Sequence, residues 1–432
     1  MRLLNVFKNL STTIFSIGGQ GFFMLANMLV FYVIVQNFTP SEFGVWALFL
    51  AIISILDGIR QGLIQNPLIR LLMIHHDKEG EILGTALVLQ SGFLIIASLI
   101  LFLTGDFIAS RLDMPDLGGL LSFSFLALFG LSVIQSLSSL ALAKNKLFTY
   151  FFLNAGYCLA ISAALAYLIF VPGLSFEGIL LALGLTGVLF SFIGGMMPFF
   201  KFGIPNLKWV KPIVDQGKYN SATNLCSLLF QKADIFMIGY FLNPAAVGVF
   251  QLATKIIQYV ELPLLAFGQT IYPRLAATQR KGNGTHLNFE YARGLFFLFV
   301  LTIPGVLAVL AFGENLIEIL GNGSYEQALW ILLILIPASM IKPWGRVFGL
   351  TLESVGLSQI NLQMLIFSLG LNMILNLILI QLYGLIGAAI ATALSTILTI
   401  IIGQLRLRKY VNIASHWGLW NTIKNEVLPS LK

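Results

Sequence analysis

The sequence predicts an all-α integral membrane protein, with twelve transmembrane helices in two six-helix parallel repeats around a central cavity. Three observations predict it. The 432 residues are 58% hydrophobic and only 10% charged, with a mean hydropathy of +0.90, where a soluble domain carries about 25% charged residues. Apolar segments close to the ~20 residues that a spanning helix needs follow one another along the whole length. A stretch of the first half is written again in the second. Thr39 to Leu72 aligns without a gap on Asn243 to Ala276, at an offset of 244 − 40 = 204 positions. Pro40, Gly44, Val45, Leu48, Ile52, Ile53, Gln65, Arg70 and Leu71 are identical to their counterparts, and Asp57 falls on Glu261. Upstream, Ser16, Gln20 and Asn27 fall on Asn220, Asn224 and Gln231.

In chain order the spans are expected at roughly 11–36, 42–67, 82–104, 118–142, 148–171, 178–200, 219–242, 246–269, 294–313, 327–349, 360–381 and 384–405. Pro40 and Pro244 each occupy a tight connection before a span, where a missing backbone donor is tolerated, and Pro337 and Pro343 fall within span ten. Residues 1–200 make an N-terminal six-helix lobe and 219–405 a C-terminal one. Residues 201–218, basic and carrying two prolines, are a cytoplasmic linker, and 406–432 are a basic tail suited to an interface.

Lysine and arginine set the topology. With the N-terminus inside, 21 of the 25 bases fall at inner segments, counting Arg2, Lys8, Lys201, Arg280, Lys281 and Lys432, and also Lys342 and Arg346 at the inner end of span ten. Arg111 alone falls outside, and three bases lie deep within spans. Both termini are then cytoplasmic. Six spans before the linker make the second half enter in the same direction as the first, so the repeats are parallel. Trp417 and Trp420 among basic residues suggest a tail helix lying on the inner leaflet, with a disordered tail as the alternative.

Polar residues recur at helical spacing in four spans. Span one carries Ser16, Gln20 and Asn27; span seven carries Asn220, Asn224, Ser227, Gln231 and Asp234. Span two carries Ser54, Asp57, Gln61 and Gln65 with Arg60 at the edge; span eight carries Gln251, Lys255, Gln258 and Gln269 with Glu261 at the edge. Polar groups at bilayer depth avoid lipid, so four stripes at matching positions point to a hydrophilic cavity between the halves. The alternative is interhelical hydrogen bonding that only holds the bundle. Six charges lie deep within spans: Asp57, Arg60, Lys232, Asp234, Lys255 and Glu261. At ~2.5–3.5 kcal/mol each they need partners or a task. Asp57 and Arg60 are spaced to pair with each other. Lys255, with Arg60 across the pseudo-twofold, is a seat for a phosphate or acidic sugar; Lys255 paired with Asp57 or Asp234 is the competing reading. Asp57, Asp234 and Glu261 are candidates for coupling protons or sodium.

No catalytic, metal or cofactor site is expected. His75, His76, His286 and His416 have no partner nucleophile or metal spacing, and no phosphate-binding GxxxxGK[ST] is present. Cys158 and Cys226 form no motif. No nucleic-acid patch is visible, and no cleavable leader is read at the N-terminus. A glycan polymerase or ligase is disfavoured by the short outer loops.

The segments FTPSEFGVWAL, KADIFMIGYFLNPAAVGVFQLATKI, YPRLA and YGLIGAAIATALS resemble the polysaccharide-transporter branch of the multidrug/oligosaccharidyl-lipid/polysaccharide exporter superfamily, over residues 5–408. The resemblance implies a twelve-span, two-lobed fold like that of the multidrug and toxin extruders, working by alternating access. It implies an undecaprenyl-pyrophosphate-linked oligosaccharide, an O-antigen or capsule-type repeat unit, as cargo at the bacterial inner membrane. It implies spans one, two, seven and eight at the cavity, with Arg60, Lys255 and Lys232 on the pyrophosphate. Gln61, Gln65, Gln20, Asn27, Asn224, Gln231, Gln258 and Gln269 would complete the substrate-binding lining. Partners would be the substrate, membrane lipids, and the polymerase and chain-length proteins of the pathway, around a monomer. The alternative is a proton- or sodium-coupled multidrug antiporter, although three acids and three bases within the spans do not make an acidic drug pocket.

Overall fold

The computed structural model describes residues 2–171, 173–198, 200, 203–280, 284–411, 413 and 416–429. Within these, the side chains of 2–14, 263, 265, 266, 269, 279, 280, 284, 285, 358, 416 and 417 are not described. Arg2, Lys8, Lys201, Gln269, Arg280, Lys281, His416, Trp417 and Lys432 therefore fall, as residues or as side chains, outside the described residues. All regular structure among the described residues is helical, in two compact units, Met1–Leu228 and Leu229–Lys432.

Unit 1 contains α1 (Arg2–Asn37), α2 (Pro40–Arg60), α3 (Asn66–Ile74), α4 (Glu79–Arg111), α5 (Pro115–Ser122), α6 (Ser124–Ala143), α7 (Leu147–Phe170), α8 (Phe176–Met196) and the start of α9 (Val210–Phe241). The local chemistry of α2 explains its start. Thr39 Oγ1 accepts from Glu42 N at 3.3 Å, and Glu42 Oε2 accepts from Thr39 N at 2.8 Å. Pro40 occupies the first turn, where its missing N–H costs nothing. One π turn, Gln61–Gln65, joins α2 to α3. Helix α4 outruns its apolar window, and it stops where Asp113 turns left-handed (φ 55°) and Met114 N donates back to Ala109 O at 2.9 Å.

Helix α9 begins nine residues before the expected span, at Val210. Pro212 sits in its first turn, where backbone donors have no intrahelical partner, so the proline does not delay it. The connection before it is tied to α4. Glu81 accepts from Asn206 Nδ2 at 2.8 Å and Trp209 Nε1 at 3.2 Å, and Lys208 Nζ lies 3.0 Å away.

Unit 2 contains the rest of α9, then α10 (Pro244–Val260), α11 (Leu262–Arg280), α12 (Gly284–Gly321), α13 (Ala328–Ser354), α14 (Ser358–Tyr410) and α15 (His416–Thr422). Helix α10 starts as α2 does. Asn243, 204 positions after Thr39, caps it by accepting from Ala246 N at 2.8 Å, and Pro244 follows in the first turn. Gly384 folds α14 into two arms by adopting φ 58°, ψ −134°, which suits a residue without a side chain. The core is formed by Tyr291, Leu295 and Leu298 of α12 with Val347, Leu352 and Leu407. Leu419 and Val427 of the tail are buried in the same cluster, and Trp420 stays exposed.

Nine stretches among the described residues are long and apolar enough to cross a membrane, the last of them, Gln359–Tyr410, folded at Gly384. The chain is a multi-pass membrane protein. Expected spans seven and eight fall on α9 and on α10–α11, which are not among the nine. Helix α9 carries Lys211, Asp215, Lys218, Lys232 and Asp234, and span eight is interrupted at Glu261.

Candidate functional site

In unit 1 the polar stripe of α2 runs into its π turn, and α4 and α6 meet it there. Arg60 is fully buried. Its Nε lies 2.8 Å from Asp57 Oδ1, and its Nη1 donates to Gln90 Oε1 at 3.2 Å and Ser136 Oγ at 3.3 Å. Gln61 Nε2 donates to Asp57 Oδ2 at 2.7 Å and Gln135 Oε1 at 2.8 Å, and Gln65 Nε2 donates to Ser139 Oγ at 2.5 Å. Both charges are thus paired with each other and hydrogen-bonded, the condition under which burial of an ion pair is tolerated. Of the two open readings of Arg60, the observed geometry is the internal pair with Asp57, and its guanidinium faces the interior of unit 1.

The same turn receives α9. A Cβ on Gly62 would come within 2.5 Å of Ser221 N, so only glycine permits this approach. Ser221 Oγ donates to Ile59 O at 2.8 Å and Asn224 Nδ2 to Gly58 O at 3.0 Å. Of the other expected lining residues, Gln20 is exposed and accepts from Tyr150 Oη at 3.1 Å, while Asn27 donates within its own helix to Phe23 O at 2.7 Å.

In unit 2, Lys255 of α10 lies near enough to Lys232 of α9 for its charge to act on that ammonium group. Neither has an ion-pair partner among the described residues. Two neighbouring cations on helices within an apolar chain have the chemistry to hold an anion. Gln231 and Gln258 are exposed.

Asp234 lies elsewhere, buried against both arms of α14. It accepts from Asn372 Nδ2 at 3.0 Å and Asn376 Nδ2 at 2.6 Å through one oxygen, and from Thr392 Oγ1 at 2.9 Å through the other. Asn376 Oδ1 is buried with no partner among the described residues. A carboxylate surrounded by neutral oxygen and amide groups, with no cation paired to it among the described residues, has the composition of a seat for a proton or a hard monovalent cation. Glu261 stands at the break between α10 and α11. It accepts from Ser339 Oγ at 2.5 Å, and Lys342 Nζ lies 2.7 Å from its other oxygen.

Several of these partners are missed by the sequence reading. Asn372 and Asn376 are one helical turn apart in an apolar segment, a spacing that could flag them. Gln135 stands 204 positions before Ser339, so the repeat offset could find it. Lys342 and Arg346, counted at the inner end of span ten, lie well inside the 27-residue helix α13.

Comparison with known proteins agrees with this architecture. Residues 37–329 match the family described as "Polysaccharide biosynthesis protein". A probable low-salt glycan biosynthesis flippase, Agl15 of Haloferax volcanii, is 23% identical over 56% of this chain and 53% of its own length, so the chain spans about half the length of the curated relatives it matches. The fold is similar to that of the lipid II flippase MurJ in an inward closed conformation (TM-score 0.76, 12% identity, 96% of this chain and 91% of that one). It is also similar to an inward-facing multidrug resistance MATE transporter of the MOP superfamily (TM-score 0.68, 16% identity, 94% of this chain and 96% of that one). On the match over most of its length, the chain belongs to the polysaccharide biosynthesis protein family.

Proposed function

We propose that this protein is a flippase that moves a lipid-linked oligosaccharide across the membrane by alternating access. The observation that carries the reading is the pair Lys232 and Lys255, two neighbouring cations without a counter-ion among the described residues. Lipid-linked glycans present their phosphoryl groups at the joint between sugar and lipid, and a pair of ammonium groups offers up to six N–H donors to such oxygens. The name carried by the Haloferax relative supports the same cargo class. The finer expectation is an undecaprenyl diphosphate bearing an O-antigen or capsule-type unit, with polymerase and chain-length proteins as pathway partners.

Within this reading Lys232 and Lys255 contact the anionic joint, and Gln231 and Gln258 of the same unit contact sugar. Asp57–Arg60 braces the π turn of span two, and Asp234 seats the coupling ion. The twelve-span count, the lobes at 1–200 and 219–405, cytoplasmic termini, the inner-membrane location and the monomeric state belong to the same proposal.

The test is deletion of the gene in its native host. Loss of surface glycan with lipid-linked units accumulating on the inner leaflet is the expected result. Intact glycan with new sensitivity to cationic compounds would shift the reading to drug antiport.

A further inference from the structure

Asp57 and Glu261 are separated by 261 − 57 = 204 positions, and so are Gln135 and Ser339, since 339 − 135 = 204. The offset reproduces a contact. In unit 1, Gln61 bridges Asp57 to Gln135. In unit 2, Glu261 accepts directly from Ser339. Asp57 lies one turn before α2 passes into the π turn at Gln61, and Glu261 stands where α10 gives way to α11. The two ties differ in their cation. Arg60, which neutralises Asp57, has a side-chain exposure of 0%, whereas Lys342, which neutralises Glu261, has 37%.

Lys342 is not alone. Arg346 is four residues further along α13 and so on the same face. Its guanidinium lies over Gly268 of α11, where a Cβ would come within 2.7 Å of Nε. That Nε is buried and has no hydrogen-bond partner among the described residues. A helix within an apolar chain therefore presents one cation held by a single, partly exposed carboxylate, and a second with an unused donor. Neither arrangement satisfies the full donor capacity of the two groups.

We propose that Lys342 and Arg346 form a second phosphoryl-binding site in unit 2, with Glu261 as its displaceable counter-ion. An entering phosphoryl group takes Lys342 Nζ from Glu261, a short swing on a flexible stem, and gains the guanidinium of Arg346 as second donor. Glu261 then keeps Ser339 and loses its cation, so the tie at the break between α10 and α11 weakens when the site fills. This rests on reading unit 2 as the part that receives an anion, and it adds where along α13 that anion is held.

The experiment uses the full chain in nanodiscs of zwitterionic lipid, titrated with farnesyl diphosphate and, separately, with inorganic pyrophosphate. Lys342→Gln is expected to weaken farnesyl diphosphate binding about tenfold or more, the loss of one charge-assisted hydrogen bond. Lys342→Arg restores most of it, which separates a lost contact from a misfolded protein. Glu261→Gln tightens binding severalfold, because Lys342 no longer leaves an ion pair. Binding that Lys342→Gln leaves unchanged, or that Glu261→Gln weakens as much as Lys342→Gln does, overturns the site. Wild-type protein that binds neither probe overturns the anion reading of unit 2 as well. Nanodiscs containing anionic phospholipid identify the source. If the lipid erases the difference between wild type and Lys342→Gln, the site takes bilayer headgroups; if the difference persists, it takes the phosphoryl joint of a lipid-linked substrate.

Discussion

Arg60 Nε lies 2.8 Å from Asp57 Oδ1 with both side chains closed off from solvent. In a chain whose other deep cations are at least partly open, that enclosure separates bracing from binding. Arg60→Ala leaves Asp57 buried and unpaired, a loss of about 3–5 kcal/mol. The expected outcome is a marked drop in thermal unfolding temperature and in the amount of protein in the membrane. The double variant Asp57→Asn/Arg60→Gln, which removes both charges, is milder than either single change. Arg60→Ala protein that accumulates and melts like wild type would remove the brace.

Lys232→Ala and Lys255→Ala behave in the opposite way. Neither cation is held by an ion pair among the described residues, so both variants fold and reach the membrane. Each loses about ten- to a hundredfold in affinity for a diphosphate-bearing lipid, the range of a hydrogen bond to a charged group. Titration of the purified proteins, with yield measured in parallel, checks both statements.

The Asp234 cluster predicts ion-dependent stability. Thermal unfolding of wild type in sodium chloride against choline chloride, at several pH values, reads whether a proton or sodium occupies it, by the stabilisation that binding to the native state alone confers. Asp234→Asn is expected to abolish the dependence on the ion. Asn376→Ala reduces it, since Asn376 donates at 2.6 Å to the same carboxylate. Persistence of the full dependence in Asp234→Asn would place the ion elsewhere.

The caps of α2 and α10 are equivalent by the repeat, and substitution treats them alike. Thr39→Ala and Asn243→Ala each cost about 1 kcal/mol of stability, the usual loss of a helix cap. Denaturant or thermal unfolding in detergent measures it. A loss at one site and none at the other would break the equivalence.

Much of the plan is legible in the sequence because its signals are local. Composition gives the membrane, helical spacing gives the stripes, and the 204-residue offset aligns Thr39 with Asn243. The pairing of Asp57 with Arg60 follows from three-residue spacing. What spacing cannot give is the partner on a helix far away in sequence. Gln90, Gln135 and Ser136 close around Arg60 from α4 and α6, and nothing in α2 announces them. Asn372 and Thr392 reach Asp234 only because Gly384 folds α14 back on itself. Lys342 shows the same limit: its place near the end of an apolar window says nothing of Glu261, 81 positions earlier, to which it is tied on a helix that continues to Ser354.

The most direct test of the central claim is transport in proteoliposomes. A fluorescent lipid-linked oligosaccharide placed in both leaflets reports flipping by its accessibility to an impermeant quencher. The account predicts that wild type re-equilibrates the label much faster than protein-free vesicles, and that Lys232→Ala/Lys255→Ala, folded and inserted equally well, slows it by about tenfold or more, the loss expected for charged contacts to the phosphoryl groups. Wild-type vesicles no faster than empty ones, or undiminished flipping in the double variant, would contradict it.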